Sequence, residues 1–269
     1  MPIEIKSPHE IAQMREAGKI VAEILVALEQ ASSPGVRTLE LNEIAEEILT
    51  KHNSYSPFKG KESYIKNVPR FPASICVSVN EEIVHGIPKP NRVLKVGDIV
   101  SVDVGAERGG LFADSAWTFP VGQISDKARH LLDTTRESLM AGIAQAKAGN
   151  KLWDVIEAIQ SVIEKNDLTI IREYQGHGVG RQLWEEPSVP NFLDNDYKRR
   201  PQNILLRPGL TIAIEPMVVT GTWHTRVLGD KWTVVTKDGG LAAHFEHTIA
   251  ITENGAEIMT ALNSREGYV

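Results

Sequence analysis

The feature that most constrains this 269-residue chain is an internal repeat. Residues 97–103 (GDIVSVD) recur 112 positions later as residues 209–215 (GLTIAIE), and both runs end on an acid. Residues 114–119 (DSAWTF) recur as residues 246–251 (EHTIAI), and both of these runs begin on an acid. Each run reads as a β-strand. Four unrelated surface acids are the alternative, but two matching pairs in apolar strands favour a duplicated architecture.

Helical patterns precede both sets of strands. Ser7, Pro8 and Glu10 predict the capped start of a first helix. A second helical pattern follows the break at Pro34-Gly35, and a similar pair of patterns begins near Asp126. We therefore predict an α/β fold of two similar halves, related by a pseudo-twofold axis. The halves are approximately residues 7–125 and 126–269, within a single domain spanning 1–269.

Four acids are predicted to converge where the halves meet, namely Asp103, Asp114, Glu215 and Glu246. Glycine turns favour hairpins that bring the members of each pair together. Carboxylates set in apolar strands are partly buried and need partners. Their mutual repulsion would keep them protonated unless a cation compensates. Two divalent ions about 3.5–4 Å apart form a recurring hydrolytic site, so the sequence predicts a dinuclear metal centre.

Three other side chains are candidates for this site. His177 lies in the glycine-rich run GHGVG and could supply an imidazole ligand, although such glycines also allow close backbone packing. His85 precedes Gly86 and is a weaker candidate. Cys76 lies in an apolar strand-like run, which indicates a packing or pocket-wall residue rather than a nucleophile.

Composition excludes several classes of protein. The net charge of −6 argues against nucleic-acid recognition through a strongly basic surface. A single cysteine allows no intrachain disulfide and indicates a reducing compartment. No apolar run reaches the roughly 18 residues of a membrane span, and the first residues do not read as a signal peptide. We expect a cytoplasmic protein with no membrane or nucleic-acid partner.

Together these residues resemble a known family, the methionine aminopeptidases of type I, whose fold is called pita-bread. Five potential ligands occur in the family's order: Asp103, Asp114, His177, Glu215 and Glu246. The likeness covers essentially the whole chain, and the length resembles the short form without an extra N-terminal zinc-binding region. The resemblance implies a curved antiparallel sheet covered by helices.

The resemblance also implies a role for each ligand. Asp103 would bind one metal ion, and Asp114 and Glu246 would bridge both ions. His177 and Glu215 would bind the other ion. Glu215 would in addition act as the general base that takes a proton from water and passes it to the leaving amine.

Substrate contacts follow in the same way. His85 is implied to contact substrate near the scissile amide, and Cys76 and Trp232 to line the pocket for the methionine side chain. The remaining pocket wall would lie in residues 59–72. The implied activity is removal of the N-terminal methionine from nascent proteins and peptides with a small second residue. It would use two divalent ions among Co, Mn, Fe and Zn.

One position departs from the family pattern. The family usually carries a second active-site histidine seven residues after the metal-binding one, and here that position is Trp184. An indole offers only an N–H donor and cannot accept or release a proton as an imidazole does, so the departure bears on turnover and on substrate preference. Trp184 is therefore an open candidate for a substrate contact, and His224 is a candidate substitute for the histidine.

Two alternative functions stay open. An Xaa-Pro aminopeptidase of the same fold would usually have a longer chain with an additional N-terminal domain. A weakly active or non-catalytic binding protein of this fold is favoured by Trp184 but not by the intact ligand set. The implied partners are N-terminal peptides of nascent proteins. Ribosome docking is left open, and we expect a monomer.

Overall fold

The structure is a computed structural model that describes residues 2–63 and 67–261. In this part of the chain the helices are α1 (Pro8–Ala31), α2 (Thr38–Lys51), α3 (Asp126–Gln145) and α4 (Leu152–Lys165), with a short 3₁₀ helix at Tyr197–Arg199. The strands are β1 (Ile75–Val79), β2 (Glu82–Val84), β3 (Ile99–Arg108), β4 (Leu111–Pro120), β5 (Thr169–Ile170), β6 (Gly176–Gly178), β7 (Glu185–Val189), β8 (Thr211–Ile214), β9 (Met217–Val219), β10 (Thr225–Val227), β11 (Val234–Thr236), β12 (Ala242–His244), β13 (His247–Thr252) and β14 (Gly255–Ile258).

Helix α1 begins where its capping residues predict. The backbone N–H of Glu10 donates to Ser7 Oγ at 3.3 Å, and the Ser7 N–H donates to Glu10 Oε2 at 2.9 Å. This reciprocal pair satisfies two N–H groups that the first turn leaves free. None of the helices in residues 2–63 and 67–261 is long and apolar enough to cross a membrane.

The first sheet has the strand order β1-β3-β4, and its hairpin positions the first pair of acids. β3 and β4 are joined at Gly109-Gly110, where both residues have a positive φ that favours glycine. The register pairs Asp114 with Gly105, two residues after Asp103. Asp103 and Asp114 are therefore diagonal neighbours on one face of the sheet.

The larger sheet, of order β14-β13-β8-β6-β7, positions the other three candidate ligands. The register pairs Ile214 with His247, so one further step places Glu215 opposite Glu246. His177 in β6 pairs with Ala213, two residues before Glu215. Side chains two apart along a strand share a face, and so do directly paired residues. His177 and Glu215 therefore lie on the same face.

The two sheets meet where β4 lies against residues 244–248, which lead into β13. Thr248 Oγ1 accepts a hydrogen bond from the Asp114 N–H at 3.0 Å and donates to the Asp114 carboxylate at 2.9 Å. Thr118 Oγ1 accepts from the His244 N–H and donates to the His244 carbonyl, both at 2.9 Å. Helices α1 and α3 pack on these sheets, and one buried apolar cluster includes residues from both. This junction brings the two pairs of acids together.

Candidate metal centre

A cavity of about 620 Å³ opens at the junction of the two sheets. All five side chains predicted as ligands line it: Asp103, Asp114, His177, Glu215 and Glu246. Asp103 and Asp114 come from the β3–β4 hairpin, whereas His177, Glu215 and Glu246 come from β6 and the segments next to β8 and β13 of the larger sheet. Each reaches the cavity because of the registers described above. The convergence that the repeat predicts is thus present in the structure.

The imidazole of His177 is oriented for ligation. Its Nδ1–H donates to the Gly178 carbonyl at 2.9 Å, which leaves Nε2 directed at the acids. Nε2 lies 3.4 Å from Asp114 Oδ2 and 3.7 Å from Glu215 Oε1. Asp114, His177 and Glu246 each offer one ligand atom, and these atoms lie within 4.8 Å of one another. Mixed imidazole and carboxylate donors suit Mn, Fe, Co or Zn.

Burial and mutual repulsion raise the pKa values of two of the four acids. Burial raises the pKa of Asp103 to about 7, with further repulsion from Asp114 and Glu215. Burial and the same neighbours raise the pKa of Glu246 well above its ordinary value. In the described part of the chain, none of the four acids forms a salt bridge with a lysine or arginine. The residues present therefore fit divalent cations.

The wall of the cavity beside the acids is apolar. Cys76 and Trp232 line it as predicted, together with Phe58 and Phe71, which the sequence did not indicate. The Trp232 and Phe71 rings meet edge-on at 5.3 Å, and Trp232 Nε1 donates to the Pro69 carbonyl at 2.8 Å. Burial raises the pKa of the Cys76 thiol well above its ordinary value, so the thiol is neutral and unsuited to nucleophilic attack. Within the predicted 59–72 wall, residues 64–66 lie outside the described part of the chain.

His85 lines the same cavity in an unusual backbone conformation. Its φ of 58° lies in the left-handed region, which costs a non-glycine residue free energy and often marks a functional position. The ring contacts the edge of Tyr174 at 5.7 Å. Burial, and to a lesser extent His244, lowers the pKa of His85 to about 4. At neutral pH His85 is therefore an uncharged hydrogen-bonding group.

Trp184 also lines the cavity and is 37% exposed. Its ring centroid is 6.2 Å from that of His177, and Lys61 Nζ lies 3.9 Å from the Trp184 ring. His224, the candidate substitute for the histidine that Trp184 replaces, stacks on Trp223 at 4.1 Å. His224 is not among the described residues that line this cavity.

His244 is the functional candidate that sequence reasoning missed. Its Nε2 lies 3.4 Å from Glu215 Oε2 and is buried without a hydrogen bond. The ring lines the cavity. No glycine-rich motif surrounds it in the sequence; the available signal was its position two residues before Glu246.

A buried ion pair fixes the segment that carries Trp184. Lys6 Nζ pairs with the Glu185 carboxylate, and the two side chains are only 1% and 9% exposed. Glu185 Oε1 also accepts from the Gln182 N–H at 2.9 Å. The pair therefore anchors the N-terminal segment beside the cavity.

Replacing Lys6 by methionine is expected to lower the free energy of unfolding by about 3–5 kcal/mol, because it leaves a buried carboxylate without its cation. Urea denaturation measures the change. The double variant Lys6→Met/Glu185→Gln should recover most of the loss, since no uncompensated charge then remains. An equal loss in both variants would contradict this account.

The model of the metallopeptidase family M24 matches residues 12–253. The chain belongs to this family. Within it, the chain is 48% identical over 255 residues to methionine aminopeptidase 1 of Bacillus subtilis, covering 95% of this chain and 98% of that relative. It is 40% identical to the methionine aminopeptidase of Escherichia coli, covering 97% of this chain and 94% of that relative.

Solved structures agree. The crystal structure of methionine aminopeptidase from Thermotoga maritima has a TM-score of 0.89 and 45% identity, covering 96% of this chain and 99% of that chain. This likeness confirms the predicted pita-bread fold. An Xaa-Pro dipeptidase from Bacillus anthracis has a TM-score of 0.72 at 21% identity, a likeness of fold alone. The present chain covers 63% of that longer protein.

Proposed function

We propose that this protein is a methionine aminopeptidase, which hydrolyses the peptide bond after an N-terminal methionine when the second residue is small. The observation that carries the proposal is the set of ligand atoms from Asp114, His177 and Glu246, gathered within 4.8 Å of one another. The apolar wall formed by Cys76 and Trp232 lines the same cavity and suits an unbranched apolar side chain. Relatives at 40–48% identity that carry the same name support it.

Two divalent ions would be held by these five side chains in this proposal. Asp103 would hold one ion, His177 and Glu215 would hold the other, and Asp114 and Glu246 would contribute to both. The shared sheet faces and the 3.4 Å separation of His177 Nε2 from Asp114 Oδ2 support a common site for these side chains. The whole chain, 1–269, acts as one catalytic domain whose two halves each contribute ligands.

Bound divalent ions would lower the pKa of water and polarise the scissile carbonyl. Glu215 then accepts a proton from water and returns it to the leaving amine. His85, uncharged at neutral pH, hydrogen-bonds near the scissile amide. His244 Nε2, 3.4 Å from Glu215 Oε2, is within reach to hold the Glu215 carboxylate in place. Cys76 and Trp232 contact the methionine side chain, and the apolar wall excludes water from it.

The alternatives are less well supported. An Xaa-Pro aminopeptidase is not favoured, because the likeness to such enzymes is one of fold alone. A non-catalytic role is not favoured, because every ligand position is occupied by a suitable side chain. The proposal includes N-terminal peptides of nascent proteins as partners, a cytoplasmic location and a monomeric enzyme, with no nucleic acid recognised directly. The acidic net charge of −6 gives no electrostatic support for docking at a ribosome.

The test is direct. Metal-free protein is reconstituted with Mn, Fe, Co or Zn and assayed on Met-Ala-Ser and on Xaa-Pro peptides. Release of methionine from Met-Ala-Ser is expected with at least one metal. Release from Xaa-Pro peptides instead would support the alternative enzyme, and no release with any metal would reject the proposal.

Replacing Trp184 by histidine is expected to raise kcat on Met-Ala-Ser by about tenfold. An imidazole donates a hydrogen bond as the indole does, but it can also accept and release a proton. The new ring would lie beside His177, where the indole now lies. Steady-state kinetics of Trp184→His and of the matched Trp184→Phe measure the change. An equal kcat in the two variants would contradict a role for the imidazole.

A further inference from the structure

A second cavity, of about 700 Å³, adjoins the metal-lined one. Gln175, Glu186 and Ser188 line both cavities. Ser188 pairs directly with His177 across β6 and β7, so the two side chains share a face of the sheet. The second cavity therefore continues along the face that carries the candidate metal ligand.

Arg172 is the distinctive group of this second cavity. Its guanidinium carbon lies 5.4 Å from the Phe192 ring and 4.9 Å from the Trp223 ring. Such contacts use the flat face of a guanidinium and leave its N–H edge free for carboxylates or carbonyls. In residues 2–63 and 67–261, no carboxylate lies within salt-bridge distance of Arg172, whereas Arg199 in the same cavity has Asp196 at 3.6 Å. Arg172 thus packs against two rings without a salt-bridge partner among the described residues, while the acids Glu186 and Asp194 line the same cavity.

The remaining surface suits an extended peptide. Pro187, Pro190 and Pro201 give the cavity rigid walls that offer no N–H donors of their own. Glu186 lies at the boundary with the metal-lined cavity, and Arg172 belongs to the second cavity alone. A chain leaving the metal centre along this face would first pass an acid and then reach a cation.

We propose that this second cavity is a groove that binds the part of the substrate following its second residue. Within this groove, Arg172 selects an acidic side chain. The proposal rests on the proposed function, which fixes the amino end of the substrate at the metal centre. The occupant is the substrate itself, because the groove shares three lining residues with the cavity that would hold the scissile bond. The selected chemistry is a carboxylate, because a stacked guanidinium presents paired N–H donors.

The experiment compares peptides that differ only in the position of one charged residue. The reference is the tripeptide amide Met-Ala-Ser, and the longer peptides are Met-Ala-Ser followed by four glycines. Glutamate replaces one glycine at a time, with glutamine and lysine at the same place as controls. At one position glutamate is expected to lower KM by about 5- to 10-fold relative to glutamine, with kcat unchanged and the gain reduced at high salt.

Two variants assign the effect. Arg172→Gln should abolish the difference between glutamate and glutamine while leaving the tripeptide unaffected. Arg129→Gln, an exposed arginine on α3 that lines neither cavity, should preserve the difference. Equal KM values for glutamate, glutamine and lysine in the unaltered protein, or equal losses in both variants, would overturn the proposal.

A binding measurement separates the groove from catalysis. Peptides that begin at alanine, as the product does, carry fluorescein at the carboxyl end, and fluorescence anisotropy gives their Kd without turnover. The glutamate peptide is expected to bind about 5- to 10-fold more tightly than the glutamine peptide, and Arg172→Gln should remove this gain. Failure to cleave the tripeptide would count against the proposed function, while unchanged Kd values would count against the groove.

Discussion

An Asp114→Ala variant is expected to release methionine at least about 10³-fold more slowly than the unaltered protein. The Asp114 carboxylate lies 3.4 Å from His177 Nε2 and belongs to the group of ligand atoms within 4.8 Å of one another. In the proposed arrangement it would contribute to holding both ions, so its loss would weaken both sites at once. The value of kcat/KM for Met-Ala-Ser measures the effect, and metal content by mass spectrometry shows its cause.

The matched control is Asp133→Ala, which removes an exposed acid on α3 and should leave activity and metal content unchanged. Asp114→Ala is not expected to destabilise the metal-free protein severely, because it also relieves repulsion among buried acids. Thermal unfolding after chelation checks this point. Full metal content together with full activity in Asp114→Ala would contradict the assigned role.

The metal-free protein is expected to become less stable as the pH rises from 6.5 to 9. Burial lowers the pKa of His177, but the neighbouring carboxylates Asp114 and Glu215 raise it to about 9, so its stabilising contribution is complete below pH 6.5 and is lost through pH 9. Burial raises the pKa of Asp103 from 3.8 to about 7, so its ionisation destabilises the fold between about pH 4 and 7, and only the end of that loss falls in this range. Glu246, whose pKa is raised well above its ordinary value, acts in the same direction. His85 has its pKa lowered to about 4 and acts in the opposite direction only below pH 6.5.

Added metal should reverse this trend. A ligand at 1,000 times its Kd stabilises the folded state by about 4 kcal/mol, which corresponds to a Tm increase of about 8–16 °C for a chain of this size. Calorimetry with chelator and with metal at pH 6.5, 7.5 and 9 measures both effects. Glu246→Gln should flatten part of the metal-free slope, since it removes one titrating acid. A metal-free Tm that rises over this range would contradict the electrostatic account.

Much of the fold could be predicted because its signals are local. The cap at Ser7 and Glu10 acts within four residues, and the structure begins α1 there. Asp103 and Asp114 could be placed together because strand alternation and the glycine turn between β3 and β4 fix which residues share a face. The repeat correctly indicates that Glu215 and Glu246 lie on neighbouring strands, but the hairpin predicted for them is wrong. Strands β9 to β12 lie between β8 and β13, and the turn at residues 237–240 joins β11 to β12, which do not pair with each other.

The remaining features depend on packing between distant segments. His224 was the candidate substitute by its position in a loop, but its ring stacks on Trp223, and His244 reaches Glu215 instead. Lys61 contacts Trp184 across more than a hundred residues, and no periodicity reports such a contact. Arg172 gains its setting in the same way, from aromatic rings that are remote in sequence.

The junction between the two sheets gives a bound metal ion a structural role as well as a chemical one. Asp114 and Glu246 are far apart along the chain, yet they meet at one point between strands of different sheets. An ion held by both would close a very long loop, and such closure removes conformational freedom mainly from the unfolded chain. The ion would then act as a reversible crosslink between the two sheets. A cell short of the metal would lose both the reaction and the stability that this crosslink provides.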